Sequence, residues 1–133
     1  MDKERYARNL DGQQYSLTPP MSALSAILIY DRDTLFGEAL QNFLFAGGFS
    51  SVDVATTVQE ALGRLRRNHY NNILIDLSPR QSGQRRWSAI IQRRQPDAKI
   101  IFLIKAADQP LIQECAFDQV IKEYVFAALL ELI

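Results

Sequence analysis

Asn72-Ile73-Leu74-Ile75-Asp76-Leu77-Ser78-Pro79 is the stretch on which the reading of this chain turns. Residues 73–75 are long or branched apolar residues in a row, with no alternation. That is the pattern of a strand buried on both faces in the middle of a parallel sheet. The run ends on the carboxylate of Asp76 and passes into a loop of Ser, Pro, Arg, Gln, Ser and Gly. Parallel sheets present ligand sites at the carboxyl ends of their strands, which makes Asp76 the first candidate for chemistry.

The same grammar repeats on either side. Residues 26–30, Ala-Ile-Leu-Ile-Tyr, are a second buried strand, closed by Asp31-Arg32-Asp33. Asp33 is a suitable N-cap for a helix in which Leu35, Phe36, Ala39, Leu40, Phe43 and Leu44 recur at helical spacing. Gly47-Gly48 supplies its left-handed stop. Residues 51–55 form a short strand, and Thr57-Val58-Gln59-Glu60 is a capping box opening a helix with Val58, Ala61, Leu62 and Leu65 inward. After the central strand comes a helix over residues 84–95 with Trp87, Ile90 and Ile91 inward. Residues 99–104 are the most apolar strand. Asp108-Gln109-Pro110 starts a short helix carrying Leu111, Ile112 and Cys115. Residues 120–122 make a brief last strand, and residues 125–133 a closing apolar helix.

Five strands alternating with five helices over short links require right-handed crossovers and a three-layer α/β domain. A flavodoxin-like five-stranded parallel sheet with helices on both faces is the natural arrangement. Residues 1–25 differ in character. They are polar and charged, contain Thr18-Pro19-Pro20, and read as an arm before a domain at residues 26–133. Tyr6, Leu10, Tyr15 and Leu17 give this arm apolar groups that can pack on something.

Composition excludes several classes. A chain of 133 residues, 47% of them apolar, is one domain with a packed core. Fifteen basic and fifteen acidic side chains cancel, leaving no global pull toward nucleic acid or an anionic membrane. Arginines 64, 66, 67, 85, 86, 93 and 94 cluster on two successive helices, but no interleaved aromatics support base stacking. The lone Cys115 forms no internal disulfide and fits a reducing compartment. His69 has no second His or Cys beside it for a metal site. Gly83 lacks the companions of a phosphate cradle. With no membrane span and no signal-peptide core in the sequence, a cytoplasmic location is expected.

The alternation, the acidic turn after the first strand, Asp76 after the third and Lys122 after the fifth together resemble the receiver domain of bacterial response regulators. The resemblance covers residues 26–133. It implies a two-component signalling role in which Asp76 is the candidate phospho-acceptor, taking phosphate from a histidine kinase. It also implies a magnesium ion held by the acidic pocket, with Asp31 and Asp76 as ligands, and contact of Lys122 with the acyl phosphate. Several positions depart from that pattern. Arg32 stands where the pocket has a second acid, Ile104 where the fourth strand has a hydroxyl, and Gln119 where the fifth has its switch aromatic. Glu123 replaces the proline after Lys122, and Pro79 comes one place early.

These departures imply a receiver in which phosphorylation at Asp76 is weakened or lost, with no catalytic activity of its own. It acts by protein–protein interaction, and an active phospho-acceptor is the alternative. Arg32 either pairs internally with Asp31 or Asp76 in the place of the metal, or points to solvent. The two carboxylates' need for a counter-charge favours the internal pair. Mg2+ binding is then expected to be weak, and no other cofactor is expected. The expected partners are proteins: a histidine kinase, an effector, or a second copy through the face of the fourth helix, fifth strand and fifth helix, where Tyr124, Phe126 and Leu130 offer apolar contact. An alternative of another class comes from Asp31-Arg32-Asp33-Thr34, which looks like the first motif of haloacid-dehalogenase-type phosphatases, with Asp31 as nucleophile and Asp33 as acid/base.

Overall fold

Five parallel strands form one sheet in the order β2-β1-β3-β4-β5 in the computed structural model, which describes residues 25–78, 83–111 and 117–133. The strands are β1 (Ala26–Tyr30), β2 (Ser51–Ala55), β3 (Asn72–Asp76), β4 (Lys99–Ile104) and β5 (Asp118–Ile121). The stretch around Ile73 is the central strand, with every residue from Asn72 to Ile75 buried. Register places Tyr30 beside Ile75, and Asp76 beside Leu103, so the ends of β1 and β3 are level.

Four α-helices cover the two faces among the described residues: α1 (Thr34–Ala46), α2 (Val58–Arg67), α3 (Gly83–Arg94) and α4 (Val125–Leu132). Leu40, Leu44, Val125 and Leu129 pack with Ile27, Ile29, Leu74 and Leu103 on one side. Ala61, Leu65, Trp87 and Ile91 pack with Leu28, Ile73, Ile75 and Phe102 on the other. The two outer surfaces differ in charge. Glu38 and Glu131 are the only charged residues within α1 and α4, whereas α2 and α3 carry Arg64, Arg66, Arg67, Arg86, Arg93 and Arg94.

Local signals set the helix boundaries. The Asp33 carboxylate accepts the Phe36 N–H and starts α1. Gly48, at φ 99°, is the left-handed stop after it. The Thr57 hydroxyl accepts the Glu60 N–H, and the Glu60 carboxylate reaches back to the Thr56 N–H, closing the capping box. Gly37 is buried where α1 crosses β2, because a Cβ there would meet Val54 Cγ1 at 3.0 Å.

Leu35 and Ala39 are exposed, because α1 carries two adjacent apolar rows and Leu40 and Leu44 are the ones buried against the sheet. Three expectations need correction. Val58 is exposed because the first turn of α2 stands clear of the sheet. The segment after β4 begins as a 3-10 helix, Ala106–Leu111, since Pro110 removes a donor that an α-helix needs. Ile112 and Cys115, with residues 1–24 and Pro79, lie outside the described residues. The last strand runs one residue less far, so Lys122 opens the turn Lys122–Tyr124.

Gln95, just past α3, is buried and serves three partners. Its amide donates to the carbonyls of Leu65 and Asn68, and its oxygen accepts the Tyr70 N–H at 2.7 Å. It thereby satisfies the open end of α2 and the entry to β3. Replacing Gln95→Leu strands all three groups in a dry site and is expected to cost roughly 3 kcal/mol or more, read as a lower urea midpoint at unchanged slope.

Candidate functional site

At the carboxyl ends of β1 and β3, two carboxylates and one ammonium meet. Lys122 Nζ lies 2.7 Å from Asp31 Oδ2 and 2.8 Å from Asp76 Oδ1. Asp31 follows β1 directly and is fully buried, and its other oxygen accepts the Asp33 N–H at 2.9 Å. Asp31 Oδ2 has no well-angled hydrogen bond, so the ammonium serves it chiefly as a charge. Phe36 of α1 sets its ring 5.0 Å from Lys122 Nζ, a cation–π contact that closes the apolar side of the pocket.

Arg32 turns inward to the second carboxylate. Its Nε approaches Asp76 Oδ2 at 3.4 Å, while half of the side chain remains exposed to solvent. The internal pairing expected for this guanidinium is what the geometry shows, with Asp76 as the partner. Around these groups lies a cleft of about 630 Å³, to which Ser78, Lys105, Asp108 and Glu123 also contribute.

Burial dominates the electrostatics of Asp31 and raises its pKa, against the pull of the Lys122 ammonium and the Asp33 N–H. Burial also works against the charge on Lys122, but the two carboxylates outweigh it and hold the lysine above its usual value. Tyr30, buried at the end of β1, has its phenol raised mainly by desolvation. Its ring centroid lies 5.1 Å from that of Trp87.

The oxygens of the acidic pair already face donors, from Asp33, Lys122 and Arg32. Among the described residues, no three His, Cys, Asp or Glu side chains are gathered to hold a metal ion. The groups present therefore do not fit a divalent cation as they stand. Two further positions lie apart from the pocket chemistry. Ile104, at the end of β4, is fully buried in the apolar layer beneath α2 and α3. Gln119, half-buried on β5, sits beside Phe102.

Glu123 has a contact that its sequence position did not announce. Its carboxylate accepts the Ala106 N–H at 2.9 Å, so the turn after β5 holds the first residue of the 3-10 helix after β4. That bond lowers its pKa. The phosphatase alternative finds no support. Asp31 is buried against Lys122, and Asp33 is occupied as the cap of α1.

A doubly wound sheet whose acidic cleft opens above the central strand defines a flavodoxin-like domain with its site at the topological switch point. The chain belongs to the response regulator receiver domain family, which residues 27–133 match. Its structure is similar to a response regulator from Thermotoga maritima, at 27% identity and a TM-score of 0.67, covering 87% of this chain and 94% of that one. It is also similar to the chemotaxis protein CheY4 of Vibrio cholerae, at 18% identity and a TM-score of 0.64, over 81% and 94% of the two chains. A third, at 24% identity and 0.59, is a response regulator from Burkholderia pseudomallei with a phosphorylated aspartic acid, calcium ion and citrate; 79% of this chain covers 66% of that one. No curated protein matches the chain by sequence. No described helix is long and apolar enough to cross a membrane.

Removing the shared cation tests the pocket. Lys122→Met leaves Asp31 buried without a counter-charge and is expected to cost about 3 kcal/mol in urea denaturation near neutral pH. Burial alone then raises the Asp31 pKa further, so the folded variant takes up a proton more readily than the unfolded chain. Its deficit should therefore shrink as pH falls and be largest at neutral pH and above. Adding Asp31→Asn should recover part of the loss.

Proposed function

We propose that this receiver signals through protein contacts and that phosphorylation of Asp76 is weakened or lost. The observation that carries this reading is the pairing of Asp76 with both Arg32 and Lys122. A phosphoryl donor brings negative charge toward a carboxylate, and its approach needs uncommitted positive charge at the cleft. Here the positive charge in contact with Asp76, on Arg32 and Lys122, is engaged in internal pairs. The guanidinium also disfavours a divalent ion twice over, by repulsion and by standing in place of an acidic ligand.

A phosphoryl group on Asp76 would have little to act through. Ile104 has no hydrogen-bonding group, so it cannot tell the modified state from the free one. A ligand shifts a conformation only through contacts that differ between states. Partner proteins, a histidine kinase or an effector, then recognise the domain in one constitutive form. The side of β5 and the turn before α4, with Tyr124 69% exposed, supports the contact assigned to that region. The competing reading, an active phospho-acceptor, draws on one observation. Arg32 is half exposed and its contact is long, so it can swing out of the cleft.

Magnesium titration followed by Trp87 fluorescence, then acetyl phosphate with mass spectrometry, separates the two. The expected result is no saturable response at millimolar magnesium and no stoichiometric adduct. A saturating response together with a full phosphoryl adduct on Asp76 overturns the proposal. Arg32→Asp should improve magnesium affinity by about tenfold or more, equivalent to a single pKa unit of interaction. It should leave conformational switching absent until Ile104→Thr is added.

A further inference from the structure

Positive charge in this molecule is paired at the pocket and the sheet edges, and left open on one layer. Arg32, Arg64, Lys99 and Lys122 each lie against a carboxylate. Among the described residues, and Lys105 apart, the cations that form no ion pair are Arg66, Arg67, Arg86, Arg93 and Arg94, all on α2 or α3. A merely solvated basic helix interleaves acids with its cations at i, i+4 spacing. Here α3 has no acid, and Glu60, the one acid of α2, is engaged at the cap with Thr56. The helix ends do not account for the charge either. Gln95 already satisfies the carbonyls of Leu65 and Asn68 at the end of α2. Arg86 stands near the start of α3, where a negative group is the favoured one. Arg67 folds back along α2, with Nη1 3.2 Å from the point where a Cβ on Gly63 would stand.

Apolar side chains lie among these arginines, and the helix geometry says where. Arg64 pairs with Asp53 of the edge strand β2 at 3.6 Å, which fixes one flank of α2 toward β2. Leu62 and Arg66, two positions to either side of Arg64, stand about 200° around the helix from it. They therefore occupy the flank toward α3, the neighbouring helix on this face. Leu62 follows the sheet-facing Ala61 by one position, whereas Ile90 precedes the sheet-facing Ile91 by one. The two helices run the same way, since each returns the chain between parallel strands, so these opposite flanks face one another. Leu62 continues a row from the exposed Val58 to Arg66, and Ile90 shares its flank with Arg86 and Arg93. The furrow between α2 and α3 thus has a half-buried apolar floor of Leu62 and Ile90 and a rim of exposed arginines.

We propose that this furrow docks an acidic amphipathic helix of a partner protein. Leucine-type side chains at i, i+3 and i+4 of such a helix cover Val58, Leu62 and Ile90, and its acids meet Arg66, Arg86 and Arg93. Arginine suits that role because its planar fork takes a carboxylate through two parallel hydrogen bonds. A nucleic-acid backbone supplies the charge but nothing apolar for the floor. A bilayer is flat, and the half-buried Leu62 and Ile90 do not stand out to enter it. A second copy is a poor occupant as well, because α1 and α4 carry only one acid each, Glu38 and Glu131. The inference goes beyond the signalling role proposed above. None of these six residues lines the cleft around Asp76, so docking here is independent of whether Asp76 accepts phosphate.

Fluorescence anisotropy with the full chain at low ionic strength tests it. The probe is a labelled helical peptide of about sixteen residues, with Leu at i, i+3 and i+4 and Glu elsewhere. Saturable binding that weakens as salt is added is the expected result. Arg66→Gln, Arg86→Gln and Arg93→Gln should each weaken it about two- to fivefold, and the triple variant about tenfold or more. Glu38→Gln, on the other face, should leave it unchanged. These arginines have no intramolecular partner to lose, so the variants should keep the parent urea midpoint. Absence of saturable binding overturns the proposal. So does equal binding of a scrambled peptide of the same composition, or affinity that survives the triple substitution. Tighter retention by a short DNA duplex or by phosphatidylserine vesicles than by the peptide would also overturn it, assigning the arginines to phosphate instead.

Discussion

One ammonium group, that of Lys122, ties together three parts of the chain that are far apart in sequence. It lies between the carboxylates that end β1 and β3, and it belongs to the turn that follows β5. The dependence runs both ways. Asp31 tolerates complete burial only because a cation comes to it, and Lys122 tolerates burial only because two anions are there. The next residue adds a second tie, since Glu123 holds the start of the 3-10 helix beyond β4. The turn of residues 122–124 is consequently fixed from two directions, by charge on one side and by a backbone hydrogen bond on the other.

Sheet and pocket are separable in this molecule. Ile27 to Ile29, Ile73 to Ile75 and Ile101 to Leu103 provide a buried sheet that needs only apolar volume and β-branched shape. The pocket sits above it on loops and strand ends, where a side chain can differ without disturbing the layers. Arg32 shows this. A cation stands in a cluster of acids, yet β1 pairs over all of Ala26–Tyr30 with β2 and from Ile27 to Tyr30 with β3. A fold-level likeness to proteins that carry a phosphorylated aspartate is therefore compatible with different chemistry at the same place.

The strands β1, β3 and β4 were legible because unbroken apolar runs have few alternatives, and α1 and α2 because Asp33 and Thr57 are caps with a local mechanism. The convergence of Asp31, Asp76 and Lys122 followed from their places at strand ends. What stayed hidden depended on longer-range choices. Periodicity did not separate the Leu40 row of α1 from the Leu35 row, since both are apolar at helical spacing. The choice by Arg32 of Asp76 over Asp31 is a matter of side-chain geometry across 44 positions. Gln95 entered only as the last residue of an expected helix, and its partners stand 25 to 30 positions away. Glu123 read as a missing proline, and nothing local pointed to Ala106.

The uneven distribution of charge over the two outer layers has an electrical consequence. With formal charges that sum to zero, the monopole vanishes and the leading long-range field is that of a dipole. Its positive end lies over the arginines of α2 and α3, and its negative contribution includes Glu38 and Glu131 on the opposite layer. Such a body gains no general attraction toward a charged surface, but it experiences a torque there. It approaches a polyanion arginine-side first and turns α1 and α4 away, over distances set by the Debye length of about 8 Å at physiological ionic strength. Orientation on encounter is thus a property of the whole charge layout, independent of any single contact.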